Sequence, residues 1–237
     1  MHSFLYLLAI GAITTTGVLS EARSDTEERA TSCSTANPND VAAAKAAFTS
    51  AELVPDLIPS FDPDTTVQAS YNGKQIDLGN TFSVTETLLQ PSISFLAEPN
   101  YDASTTNYTI FLVDPDAPGP ALPVLSDFLH LIIENAQPSC ITTQSPIDLA
   151  PYMSLTPLSV APHRYTILVY RQPPNYVAPV DPQYVPGVRN NFDLNGYVAE
   201  AGLEGPIAGN FFREGLSSTD CAITPNCTQD GTGYPTS

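Results

Sequence analysis

Beyond its first few residues the chain holds two histidines, His130 and His163, each beside a strongly apolar, β-branched run. A third feature, Asp114-Pro115-Asp116-Ala117-Pro118, closes another such run, YTIFLVD. Two prolines stiffen that segment and hold two carboxylates in fixed directions. A carboxylate near a histidine fixes the ring's tautomer and raises its pKa. Such a set can hold an anionic or hydrogen-bonding ligand with little reorganisation. Each feature also has a plainer reading: the Asp-Pro-Asp segment as a turn, the histidines as packed structural residues, Arg164 as half of a buried ion pair. No GxSxG motif occurs, and no CxxC pair with distant histidines. No catalytic residue, metal or cofactor is therefore expected.

The elements that must position these groups read as strands. In TVQASY, Val67, Ala69 and Tyr71 alternate with polar partners, and Asn72-Gly73 is a hairpin turn signal leading into KQIDLG. SISFLA follows, and then three runs rich enough in β-branched and aromatic residues to be core strands: 108–114, 128–135 and 164–172. A helix is expected from an Asx cap at Asn39-Asp40 through VAAAKAAFTSAEL, ending before Pro55, and a short one from Asp193 to Gly202. Twenty-three prolines suit the many stiff connections of a β protein.

Residues 1–20 contain no Asp, Glu, Lys or Arg, and their apolar run is short for a membrane span, so they read as a signal peptide. A flexible lead-in (21–38), one domain (39–216) and a polar, cysteine-containing tail (217–237) complete the expected organisation. Four cysteines, Cys33, Cys140, Cys221 and Cys227, read as two disulfides, with three pairings open. Asn107-Tyr-Thr and Asn226-Cys-Thr are glycosylation sequons, the latter in the better setting. All of this points to secretion, to the exterior or a vacuole. A net charge of −17 repels nucleic acid and anionic membrane surfaces, so neither nucleic-acid binding nor membrane insertion is expected, and the chain reads as a monomer.

DPDAPGP, with His130 fourteen residues after Asp116, is similar to the DPDAP…H signature of the phosphatidylethanolamine-binding protein family, and PHRYTILVYRQ (162–172) resembles its HRY strand. ELVPDLIPSF, YNGKQIDLGNTFS and NFDLNGYVAEAGLEGPIAGNFF (191–212) agree in order and spacing, so the chain resembles a secreted, fungal-type member from about Glu52 to Phe212. The resemblance implies a mostly β fold: a large central, antiparallel-rich sheet packed on a smaller one, with short helices at the periphery. It also implies an anion pocket formed by Asp114, Asp116, His130, His163 and Tyr165, with Pro115 and Pro162 in its walls. There, both histidines would donate to the ligand while the two aspartates orient the rings and the loop. Three departures stand out: Leu131 replaces the usual aromatic residue, Ala161-Pro162 replaces a glycine, and no counterpart of the family's C-terminal helix is evident.

The expected function is binding of a small anion or phospholipid head group. The alternative is inhibition of a serine carboxypeptidase, as some fungal relatives resemble such inhibitors. A hydrolase using Asp114 or Asp116 as base lacks the supporting motifs.

Overall fold

The structure, a computed structural model, describes residues 33–180 and 189–230. The signal-peptide reading and nearly all of the lead-in fall outside those residues. Among the described residues no helix is long and apolar enough to cross a membrane.

Among the described residues nine strands form two sheets. They are β1 (Val67–Tyr71), β2 (Lys74–Gln75), β3 (Thr81–Phe82), β4 (Ser92–Phe95), β5 (Tyr108–Asp114), β6 (Phe128–Ala136), β7 (Ile147–Ala150), β8 (His163–Arg171) and β9 (Glu204–Glu214). The large sheet has the order β3-β9-β8-β5-β6-β7 and the small one β2-β1-β4. All pairings are antiparallel except β3 with β9. The expected mostly β, two-sheet architecture with short helices is therefore what the chain forms.

β5 is buried at all seven positions, because both faces of the large sheet are covered. Strand alternation divides its side chains between two cores. Tyr108, Ile110 and Leu112 point with Tyr165, Ile167, Val169 and Phe212 toward Val67, Ala69 and Phe95 of the small sheet. Phe111 and Val113 point with Leu168, Tyr170 and Phe211 toward Phe48 of helix α1 (Pro38–Ser50) and Tyr197 of helix α3 (Leu194–Ala201). Gly209 lets α1 lie close on β9, since a Cβ there would come within 2.6 Å of the Phe48 ring.

Local signals explain most boundaries. The turn expected at Asn72-Gly73 forms, with both residues at positive φ (49° and 86°) and Tyr71 paired to Lys74. The strand after it stops at Gln75 and does not run through KQIDLG. α1 is capped two to three residues earlier than expected: the Asn37 side chain accepts from the Asn39 amide at 2.9 Å, with Pro38 at the first helical position, where its missing N–H costs nothing. α1 ends at Ser50, and a separate short helix, α2 (Leu53–Asp56), carries Pro55 past a non-helical Val54. α3 matches its expected limits, with Asp193 as cap and Gly202 in the left-handed conformation.

The disulfides pair Cys33 with Cys140 and Cys221 with Cys227. The segment after Ser217, expected as a polar tail without a helix, forms α4 (Ser218–Ile223) with a buried Cys221, and Thr228 bridges to Ser159.

Candidate functional site

The strand ends of the large sheet bring the expected histidines together. Asp114 ends β5 and His163 begins β8, both on the face that looks toward the small sheet, and Tyr165 follows two residues later on that face. His130 reaches the same place by a different device. β5 pairs Leu112 with Leu131 but Val113 with Leu129, so His130 is an extra residue in the ladder. Such a bulge re-aims a side chain beside a site. The Tyr165 ring then lies between the imidazoles, edge-on to His130 (centroids 5.4 Å apart) and stacked with His163 (5.9 Å).

These groups line a cavity of about 120 Å³, with Asp114, His130, His163 and Tyr165 as its polar side and Pro118, Leu125, Phe128 and Leu158 among its apolar walls. His130 is 4 % exposed and His163 1 %. The Nδ1 of His163 lies 2.8 Å from the Asp114 carboxylate, whose other oxygen accepts the Asp116 amide at 2.8 Å. The Nδ1 of His130 lies 2.9 Å from the Met153 carbonyl. Both partners are acceptors, which assigns a proton to each Nδ1. Each Nε2 is buried with no hydrogen-bond partner among the described residues.

The two rings are not electrostatically equivalent. Burial opposes charging His163, but the adjacent Asp114 carboxylate more than offsets it and raises the pKa. Burial dominates at His130 and lowers its pKa. Relative to a free ring, His163 is therefore shifted toward the imidazolium, whose Nε2–H donates. His130 favours the neutral ring, whose Nε2 carries a lone pair. The sequence-based expectation has both rings donating; the two shifts bias the pair instead toward a donor at His163 and an acceptor at His130.

Asp116 does not line the cavity. Its carboxylate takes the Arg164 amide at 2.7 Å, Nε at 2.9 Å and Nη2 at 2.8 Å, a bidentate pair on the outer side of the loop. The strand ends at Asp114, so the two-residue spacing no longer keeps the aspartates on one face. Pro115 is not among the lining residues, and Pro162 borders two outer clefts; Pro118 forms the wall instead. Asn107 borders a separate cleft at the opposite end of β5, and Asn226 is exposed.

One group escaped sequence reasoning. Glu214 is the register partner of His163 across β8 and β9, is completely buried, and accepts from the Thr87 hydroxyl at 2.7 Å. Burial pushes its pKa up to about 7, with the Thr87 hydrogen bond and His163 partly opposing. Its other oxygen has no partner among the described residues. The available signal was its two-residue spacing from Phe212, which places it on the pocket face.

Comparison with known proteins agrees with this architecture. The chain is 31% identical over 170 residues to a 26 kDa secreted antigen of Toxocara canis, covering 70% of this chain and 62% of that protein. It is 29% identical over 163 residues to CEN-like protein 1 of Nicotiana tabacum, covering 68% and 87%. Among solved structures, a carboxypeptidase Y inhibitor complexed with its cognate proteinase shares the fold at a TM-score of 0.63, with 21% identity over 75% of this chain and 97% of that one. A phosphatidylethanolamine-binding protein from Plasmodium vivax does so at 0.60, with 19% identity over 73% and 97%. The sequence model of the phosphatidylethanolamine-binding proteins matches residues 66–215, more than half of the chain, which holds every pocket group described above: the chain belongs to that family.

Proposed function

We propose that this protein is a secreted binding protein whose histidine pocket takes a small oxyanion of phosphate type, either free or as a phosphorylated head group. One observation carries the reading: two buried imidazole Nε2 atoms, both without partners among the described residues, border one small cavity. Unsatisfied buried polar atoms are costly, and a ligand that satisfies both recovers that cost. The His163 imidazolium donates to an anionic oxygen, while neutral His130 accepts from a ligand hydroxyl or takes up a proton. A cavity of about 120 Å³ suits the head of such a ligand and not acyl chains. Secretion is supported by four cysteines that all pair.

The test is a titration with inorganic phosphate and phosphorylethanolamine, following the His130 and His163 ring resonances. Saturable shifts in both rings are expected; silence up to tens of millimolar, roughly the weakest binding worth the name, removes the proposal. Carboxypeptidase inhibition is the second reading. The likeness to the inhibitor is one of fold, and an assay of the mature protein against a serine carboxypeptidase decides it.

A further inference from the structure

The face of the large sheet opposite the pocket carries a second unpaired arrangement of charge. Arg164 and Arg213 stand directly across β8 and β9 from each other. Like charges so placed repel unless they are neutralised. Arg164 is neutralised, by Asp116 on one side and by Asp56 at 3.1 Å on the other, and it also donates to the Ala51 carbonyl at 2.8 Å. Arg213 is not. Its side chain makes no hydrogen bond or ion pair with any described residue, and its Nε is buried without an acceptor. Acidic residues outnumber basic ones 25 to 8 in this chain, and Lys45, Lys74, Arg164 and Arg171 each meet a carboxylate. Against that background a guanidinium without a partner requires an explanation.

Arg213 borders an open cleft of about 370 Å³ together with Glu52, Asp56, Asp116 and Arg164. Asp56 and Asp116 are committed to Arg164. Glu52 is not committed: it sits in a left-handed turn between α1 and α2, is exposed, and its carboxylate pairs with no described residue. One cation and one anion thus line the same cleft without reaching each other. A lone anion entering it would meet three carboxylates, and a lone cation would meet two guanidiniums. A ligand carrying both charges close together satisfies both.

We infer that this cleft is a second binding site, distinct from the histidine pocket, for a small zwitterion of the free α-amino acid class, with the carboxylate on Arg213 and the ammonium on Glu52. The test is an amide NMR titration of the full chain with L-alanine, acetate and methylammonium as probes. Alanine should give saturable shifts around Glu52 and Arg213, and acetate and methylammonium should bind at least about tenfold more weakly, the loss expected for one charge-assisted contact. Arg213→Gln and Glu52→Gln should each weaken alanine by a similar factor, whereas His130→Ala should leave it unchanged. Glu52 is exposed, so its variant keeps the test open even if Arg213→Gln disturbs the sheet. Three results overturn the inference: no saturable alanine shift up to about 50 mM, alanine binding undiminished in both cleft variants, or acetate binding as tightly as alanine. The phosphate titration reads other resonances, so either site can fail without the other.

Discussion

His163 and Glu214 face each other across β8 and β9, so one imidazole stands between two buried carboxylates, Asp114 and Glu214. The second acid is raised from an ordinary 4.5 to about 7. A group whose pKa is raised in the folded state holds its proton more tightly there, so its stabilising effect is complete below the unfolded value and is lost as pH rises through the folded one. For Glu214 the window runs from about pH 4.5 to 7. At about 1.4 kcal/mol per pKa unit the loss across that window is roughly 3 kcal/mol. His130, lowered by burial, acts in the opposite sense over the lower part of the same window. The prediction is therefore a difference: urea unfolding of wild type and Glu214→Gln should diverge by a few kcal/mol between pH 4.5 and 7.5, with the variant flatter. Parallel pH profiles would show that Glu214 is not the titrating acid.

The two histidines should separate by substitution. The His130 ring makes one hydrogen bond among the described residues, to the Met153 carbonyl, and faces the cavity. His130→Ala should abolish phosphate binding at a cost of about 1–3 kcal/mol. His163→Ala also removes the partner of a buried Asp114 carboxylate that is 2 % exposed, and should cost about 3–5 kcal/mol. Chemical denaturation of both variants checks the order. Equal losses would assign His130 a structural role like that of His163.

The donor–acceptor pair predicts ligand choice. A phosphate monoanion with one P–OH group gives an anionic oxygen to His163 and a hydroxyl to the His130 lone pair, whereas a phosphodiester has no hydroxyl to give. Phosphorylethanolamine should bind at least about tenfold more tightly than dimethyl phosphate near pH 5.5, below the second phosphate pKa of about 6, where the monoanion predominates, a gap set by one buried hydrogen bond. Below that pH the gap should narrow as His130 takes up a proton. Calorimetric affinities at two pH values measure it, and a diester preferred at both would reverse the assigned roles of the rings.

How much of this the sequence displays depends on whether the signal is local. β5, β6 and β8 are legible because YTIFLVD, FLHLIIEN and RYTILVYRQ are runs of β-branched and aromatic residues. β9, which lies between β3 and β8 in the large sheet, is hidden because EGPIAGNFFRE carries two glycines and a proline that read as a loop. Missing β9 hides Glu214 and the pairing of Arg213 with Arg164. His130 and His163 are visible as residue types, but the bulge that turns His130 into the cavity is a property of the β5–β6 register. Asp114 and Asp116 look equivalent in sequence; they part because the strand ends between them and Arg164 captures the second.

The two disulfides should act on different properties. Cys33–Cys140 closes a sequence separation of 107 residues, whereas Cys221–Cys227 closes one of 6. Chain entropy alone assigns about 5 kcal/mol to the first and about 2 to the second. The short bridge has a local consequence that the long one lacks. Cys227 is followed by Thr228, whose amide donates to the Leu158 carbonyl at 3.0 Å, and Leu158 is a wall of the histidine pocket. Replacing Cys221 and Cys227 by Ser should therefore loosen that wall, weakening phosphate binding while lowering global stability by only the smaller amount. Replacing Cys33 and Cys140 by Ser should lower global stability by the larger amount and leave the affinity of the molecules still folded unchanged. Urea unfolding paired with phosphate calorimetry on the two double variants separates these effects. If the short-bridge variant kept wild-type affinity, Leu158 would be held in place without the tail.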